Sequence, residues 1–342
     1  MTGQTWTEAA IRALMCLMGI FGNNWLLCCS LPTSRSEVRT NDILFVNLAL
    51  SNLITNYLVD LPETLDFTRQ WPMGRTYCGT FNFCSDLSES CSIFATMFIT
   101  VYWHQKLVGS LKHGGAPVRM DNTYLVAALL AGSWTGAVVF SLPHFFFASK
   151  NVWNESCDRC TEQYPSPGAE QTYEMLYLVL ANVVPIIGIV CGSVQIAVTL
   201  LQNHKRIETI TTEVTRRADV SVAEDHARSA GGNATISGNE AQKFASEVSP
   251  GNVPEHQRSV IKSKDKSRLS TDAQMRAVKS VLAVATVFLF FWLTHLVLSV
   301  ISIVFKCSVI DEIISYVGAG YTCIIPYIYL HGVKKLKFSC RA

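Results

Sequence analysis

The chain has 342 residues, of which 49% are hydrophobic and 16% charged, with a formal net charge of +2. Soluble domains average roughly 25% charged residues, and here the deficit is concentrated in long charge-free stretches, while the near-neutral balance gives no basic surface for nucleic acid. Twelve cysteines over this length do not make a small disulfide scaffold; many sit inside apolar runs, where a thiol behaves as a small hydrophobe.

A helix that crosses about 30 Å of hydrocarbon takes about 20 mostly apolar residues, and the chain offers seven such segments. The first, Ala9–Leu31, is longer than the apolar part of a secretory signal and has no basic residue before Arg12, so it reads as a retained membrane helix. The second is Asp42–Leu61. The third, Phe81–Val108, contains Asp86 and Glu89 and is charge-free from Ser90 to Gln105. The fourth, Thr123–Ser149, and the fifth, Met175–Asn203, have no Asp, Glu, Lys or Arg; the sixth, Lys279–Phe305, has none after Lys279, and the seventh, Ile313–Leu330, has none. Lipid admits only helices and closed barrels, and these runs are too long and uniformly apolar for the alternating strands of a barrel. The expected fold is therefore all-α: a seven-transmembrane helix bundle within residues 1–331, followed by a short cytoplasmic tail, 332–342. Between the fifth and sixth segments, residues 204–274 are rich in Ser, Thr, Glu, Lys and Arg, with Phe244 as the only aromatic residue. The middle of this stretch reads as a disordered cytoplasmic loop, either a docking segment or a solvated spacer.

Basic residues favour the cytoplasmic side. Placing the first residue outside gives inside loops carrying Arg35, Arg39, Lys112, Arg119, Lys205 and Arg206, and a tail with Lys334, Lys335 and Lys337. The outside loops then hold more acids, among them Glu63, Asp66, Glu155, Asp158 and Glu162. The sequon at Asn154 falls outside, where glycosylation is expected, and the one at Asn233 falls inside, where it is not.

Particular residues recur at matching depth, one set to each helix. They are Gly22-Asn23; Asn47-Leu48-Ala49-Leu50-Ser51-Asn52; Trp71-Pro72-Met73-Gly74 ahead of Cys78; Trp134 with Pro143; Pro185; Phe288 with Trp292; and Pro326-Tyr327-Ile328-Tyr329. In this order the set resembles the rhodopsin-like G-protein-coupled receptors. The departures are specific. Asn52 stands where such receptors carry an Asp that helps hold sodium, which removes the charge that a sodium-linked switch needs. Tyr102-Trp103-His104 replaces Asp-Arg-Tyr, so the arginine lock is missing, with Lys106 or His104 as substitutes. Thr294 replaces a kinking proline, and Ile325 an Asn. The texture around Leu48–Ile54, His104–Val108 and Gly114–Pro117 is similar to the vomeronasal type-1 receptors and their fish relatives, the olfactory receptors related to class A; bitter-taste receptors are the nearest competing family. The narrower resemblance implies a small-molecule odorant or pheromone-like ligand, an inhibitory-type heterotrimeric G protein, and the plasma membrane of sensory neurons.

Ionisable groups inside a span are costly and mark function by default. Asp86 and Glu89 share a helical face and read either as a polar anchor for a cationic or hydroxyl-bearing ligand, or as an ion-pair site between helices; Glu89 is the deeper. By depth, Asn182, His295 and Tyr316 join them as ligand-binding candidates, each also readable as a core residue, while Asp60 and Glu63 read as solvated. The resemblance assigns Phe288, Trp292, Pro326 and Tyr329 to the activation switch; large aromatics also simply pack, and proline weakens the helix ladder. Gly188 and Gly192 have the close-packing spacing. Cys78 is expected to pair with Cys157 or Cys160 in an oxidising compartment. Cys157 and Cys160 without further ligands do not make a zinc site, so no metal or cofactor is expected. Cys340, after the basic tail residues, is a candidate palmitoylation site. The resemblance places the G-protein-facing surface at Lys106, Lys205, Arg206, Arg276 and Lys279, which also fit the role of positive-inside anchors on anionic lipid. A transporter or channel would show repeats and charges through the full depth, and a membrane enzyme a facing catalytic set; His144 and His295 stand alone in the sequence.

Overall fold

A computed structural model describes residues 3–32, 38–65, 75–112, 118–149, 161–230, 275, 278–301 and 308–331. Two compact units are distinguished: Met1–Ala197 with Met275–Ala342, and Val198–Gln274. The described residues form α1 (Gly3–Ser30), α2 (Thr40–Thr64), α3 (Arg75–Lys112), α4 (Thr123–Phe147), α5 (167–230), α6 (Val278–Ile301) and α7 (Ser308–Tyr329). Local signals start two of them. Asn122 caps α4 by accepting from the backbone N–H groups of Tyr124 and Leu125, and Ser166 caps α5 ahead of Pro167 by accepting from that of Ala169. The chain is a seven-helix bundle of the membrane class.

Several boundaries differ from the sequence reading, most clearly around α4 and α5. Helix α4 stops at Phe147, and Ala148–Ser149 instead form strand β1, paired antiparallel with β2 (Thr161–Glu162). Helix α5 begins at Pro167 and continues to Ala230, so the first part of the stretch read as a polar loop is helical; Ala, Glu and Arg are good helix formers even where no apolar face is buried. Residues 231–274 lie outside the described residues. Both α2 and α5 contain a π-helical turn, Asn56–Asp60 and Leu178–Val183.

Five helices are long and apolar enough to cross a membrane, and α7 contributes the shorter apolar stretch Ile313–Tyr329. Helix α3 does not qualify on hydropathy, yet its 38 residues span about 57 Å at 1.5 Å per residue. The reason is its position. It packs against α2, α4 and the π turns of α2 and α5, so little of it faces outward and polar side chains are tolerated along its length. The other helices show the converse pattern. Leu17, Phe21, Val139, Met175 and Phe290 are exposed, while Asn23, Ser51, Asn52, Asn56, Ser92 and Thr96 are fully or almost fully buried. A bundle with its hydrocarbon outside and its amides inside is built for lipid.

In lipid the hydrophobic effect no longer pulls helices together, so close packing of small residues takes its place. A Cβ on Gly22 would lie 2.8 Å from Pro326 Cγ, one on Gly188 2.9 Å from Met97 Sδ, and one on Gly192 2.9 Å from Thr100 Cγ2. Gly188 and Gly192 thus seat α5 against α3. At Gly320 the neighbour is the Phe291 ring, 2.6 Å away. Replacing Gly320 by Val is expected to lower stability by about 1–3 kcal/mol through overpacking, read as an earlier thermal unfolding transition of the purified protein; an unchanged midpoint would refute this α6–α7 contact.

Candidate functional site

At the end of the bundle that the sequence places outside, two polar locks hold the helices. The first centres on His144, which Pro143 introduces in the last turn of α4. Its Nε2 is 2.8 Å from Asp86 Oδ2 on α3, and its Nδ1 bonds Glu162 Oε1 on β2. An imidazole with a carboxylate at each nitrogen donates twice only as the cation. Asn82 and Tyr164 also donate to Glu162, at 2.9 and 2.8 Å. Burial pushes the Glu162 carboxyl up, but the bonds and charge of His144, with the bonds from Asn82 and Tyr164, outweigh it and hold the group below the usual carboxylate range. Burial, and then the bond to Glu162, push the Tyr164 phenol up. Asp86 is therefore consumed by an interhelical pair, the second of the two roles read from the sequence.

The second lock joins α1, α2 and α7. Arg12 Nη1 is 3.1 Å from Glu63 Oε2 and 3.0 Å from Ser315 Oγ, Ser315 donates to the same carboxylate at 2.7 Å, and the guanidinium lies 4.2 Å over the Tyr316 ring. Glu63 is thus paired rather than solvated, and Asp60 accepts from Asn56 Nδ2 at 2.8 Å. Glu63 was misread because depth alone does not reveal a partner on another helix, and Asp60 because its partner is an amide one turn back on its own helix.

The remaining candidates, Tyr316 of the second lock among them, share one property. No hydrogen bond or ion pair to the half-buried Glu89 carboxylate is found among the described residues, and Tyr177 is the ring beside it and Asp86. Asn182 Oδ1, His295 Nδ1, Tyr316 Oη and Trp292 Nε1 are buried without a hydrogen-bond partner among the described residues. Such atoms are costly when unmet. Asn182 sits in the π turn of α5, a feature frequent at functional sites. His295 packs on Trp292 with ring centroids 4.9 Å apart.

A cleft of about 200 Å³ between α3, α4 and α5 contains none of these five ligand-binding candidates; Phe94, Phe98, Phe140 and Leu180 line it over Gly132 and Gly136, where a Cβ would meet nothing within 4 Å. Its walls are largely apolar, and the two hydroxyls among them are already engaged, Ser133 with the Leu130 carbonyl at 2.8 Å and Ser90 with Tyr177 Oη at 3.4 Å. The Gly132-xxx-Gly136 spacing was readable in the sequence but passed over.

In the switch region, Phe288 and Trp292 are buried and 5.8 Å apart. Tyr329 is buried on Phe45 at 4.7 Å with its hydroxyl unpartnered among the described residues. Thr294 donates to the Phe290 carbonyl at 2.7 Å, back-bonding that bends helices where a proline is usual. Toward the opposite end, Lys106 bonds Asp121 at 3.4 Å and Tyr102 at 3.3 Å. Lys205, Arg206 and Lys279 are exposed. Cys78 is disulfide-bonded, while Cys84 and Cys91 are buried free thiols. Cys157, Cys160, Asn154, Asn233, Arg276 and Cys340 lie outside the described residues.

Residues 23–329 match the family described as 7 transmembrane receptor (rhodopsin family). Among curated proteins, the chain is 25% identical over 207 residues to neuropeptide Y receptor type 6 of Mus musculus, 24% over 185 residues to somatostatin receptor type 4 of Rattus norvegicus, and 26% over 197 residues to tachykinin-like peptides receptor 86C of Drosophila melanogaster. The matches cover 56%, 54% and 54% of this chain but 53%, 47% and 38% of those relatives, so the chain spans about half of their length or less.

Replacing His144 by Phe strands two carboxylates and is expected to cost about 3 kcal/mol, as breaking a buried pair does. Lys106→Ala, at an exposed pair, should cost under about 1 kcal/mol. Thermal unfolding of the two variants checks the ranking, and equal midpoints would remove the lock. Because the folded Glu162 carboxyl titrates below its ordinary value, its contribution is complete above pH about 4.3 and is lost as pH falls through the lower folded value. Glu162→Gln should flatten that acid limb in a pH series of unfolding midpoints, and an unchanged limb would show that Glu162 is not its source.

Proposed function

The chain belongs to the rhodopsin family of seven-transmembrane receptors, and on that footing we propose that it is a chemosensory receptor for a small molecule bound within the outer half of the helix bundle. It is a multi-pass membrane receptor whose family signals through heterotrimeric G proteins. In the finer reading, its amino terminus lies outside, its carboxyl terminus is cytoplasmic, it works in the plasma membrane of sensory neurons through an inhibitory-type G protein, and it is not an enzyme. The vomeronasal-like texture of Leu48–Ile54 and His104–Val108 supports that assignment. Cys157 or Cys160 is the proposed partner of Cys78, and Asn154 the proposed glycan site.

One observation carries the ligand reading. Of two carboxylates on one face of α3, Asp86 is neutralised by His144, whereas Glu89 meets no counter-charge among the described residues. Glu89 is left to take a cationic or hydroxyl-bearing group, with Asn182, His295 and Tyr316 offering further polar atoms, and Phe288, Trp292, Pro326 and Tyr329 reading the occupied state. Lys106, Lys205, Arg206, Arg276 and Lys279 form the proposed G-protein side. A peptide ligand is the second reading, because two of the relatives named above are receptors named for peptides.

Expression in reporter cells, screened against amines, carboxylic acids, steroids and short peptides, separates these readings. Glu89→Gln is expected to reduce potency at least tenfold for the active compounds, since a hydrogen bond to a charged group contributes about 1.5–3 kcal/mol. Unchanged potency for every active compound would remove Glu89 from the site, and activity confined to peptides would remove the small-molecule reading.

A further inference from the structure

Tyr321, in the middle of α7, belongs to two assemblies at once. Its ring makes T-shaped contacts with Phe288 at 5.3 Å and Trp292 at 6.3 Å, both on α6. Its hydroxyl lies 2.9 Å from Thr96 Oγ1 and 3.2 Å from Ser92 Oγ, both on α3. The side chain is 3% exposed.

Proton counting gives this contact a direction. Thr96 spends its single hydroxyl proton on the Ser92 backbone carbonyl, 3.0 Å away, and Ser92 spends its own on Asn52 Oδ1, 2.8 Å away. Carbonyl oxygens only accept. With the Thr96 and Ser92 protons placed there, the phenol is the donor left for these two oxygens, so Tyr321 donates to α3. Beyond Ser92, Asn52 donates to Asn23 Oδ1 at 3.1 Å, and Asn23 donates to the Thr322 carbonyl at 3.0 Å, one residue along α7 from the start. The thread closes on itself through α7, α3, α2 and α1, and Tyr321 is its contact with the aromatic pair of α6.

We propose that Tyr321 is the positioning residue through which the α6 aromatic pair acts on α3, its ring following Trp292 and Phe288 and its hydroxyl holding α3 in the resting arrangement. The inference rests on the receptor reading for its signalling consequence, but not for the mechanical link. A two-state element that both sides bias is what such coupling requires.

Tyr321→Phe keeps the ring and removes only the donor. In full-length receptor in lipid nanodiscs, hydrogen–deuterium exchange of the 90–102 segment of α3 should rise in this variant. Trp292→Ala should raise it in the parent protein and add nothing in the Tyr321→Phe background, a non-additivity that a merely structural tyrosine would not produce. In ligand-free cells carrying a panel of Gα classes, Tyr321→Phe should raise basal signalling roughly fivefold or more at equal surface expression, the low end of ordinary coupling between sites. Unchanged α3 exchange in Tyr321→Phe, or an equal Trp292→Ala effect in both backgrounds, would overturn the proposal. Raised, non-additive exchange with no basal signal through any Gα would uphold the link and overturn the receptor reading instead.

Discussion

Asn52 is hydrogen-bonded through both ends of its amide: Nδ2 donates to Asn23 on α1 and Oδ1 accepts from Ser92 on α3. The arrangement follows from the solvent. A bundle in hydrocarbon cannot hand its interior polar groups to water, so each must be met by another helix, and a network met in full rigidifies what it joins. Around Asn52 this requirement ties α1, α2, α3 and α7 at mid-depth. The network's central members, Asn52, Asn23 and Ser92, are neutral and so avoid the desolvation cost that a buried carboxylate would bring. Asn56 extends it to Asp60 and to the Thr322 hydroxyl, and Trp134 on α4 donates to Asn47 on α2 at 2.7 Å, so the same logic reaches the fourth helix.

The outer end works differently. There the locks are ionic, His144 between two carboxylates and Arg12 on Glu63, and they bind segments that the neutral network does not reach: β2 with the end of α4, and the first turns of α1. Fixing the rim in this way leaves the layer between rim and core with the polar atoms that have no partner, Glu89 among them. A ligand seated in that layer would leave the ionic rim and the Asn52 network as they are, which is what preorganisation means.

Much of this was legible in the sequence. The segments Thr123–Ser149, Met175–Asn203 and Ile313–Leu330, free of charge, and Lys279–Phe305, free of it after Lys279, were plain in the sequence, and Asp86 with Glu89 marked the third segment as unusual. The family motifs pointed to Asn52, Trp134, Phe288, Trp292 and Pro326 because each occupies a fixed depth. What was not legible depends on contacts between residues far apart in the chain. His144 looked solitary because its partners lie 58 residues upstream and 18 downstream; Glu63 looked solvated because Arg12 is 51 residues away. Tyr321 carried no signal either, since an aromatic residue in an apolar helix reads as packing until both its ring and its hydroxyl are seen to be engaged. The extension of α5 to Ala230 was missed for the opposite reason: a polar stretch with good local helix propensity has no hydrophobic period to betray it.

The distribution of these contacts says where the resting state is held. The buried arginine lock of related receptors is absent, and its nearest counterpart, Lys106 with Asp121, is a pair whose side chains are 38% and 47% exposed, worth little in such surroundings. The proline that would preset the bend of α6 is replaced by Thr294, whose bond to the Phe290 carbonyl gives a softer curvature. With both devices weakened, the burden of keeping α6 against α3 moves inward, to the buried ring of Phe288 and the tyrosine it leans on. Helix α6 is tied to α7 both near its Val278 end, where Ser280 Oγ donates to the Ile328 carbonyl at 2.8 Å, and at mid-depth, where the Phe288 ring meets Tyr321.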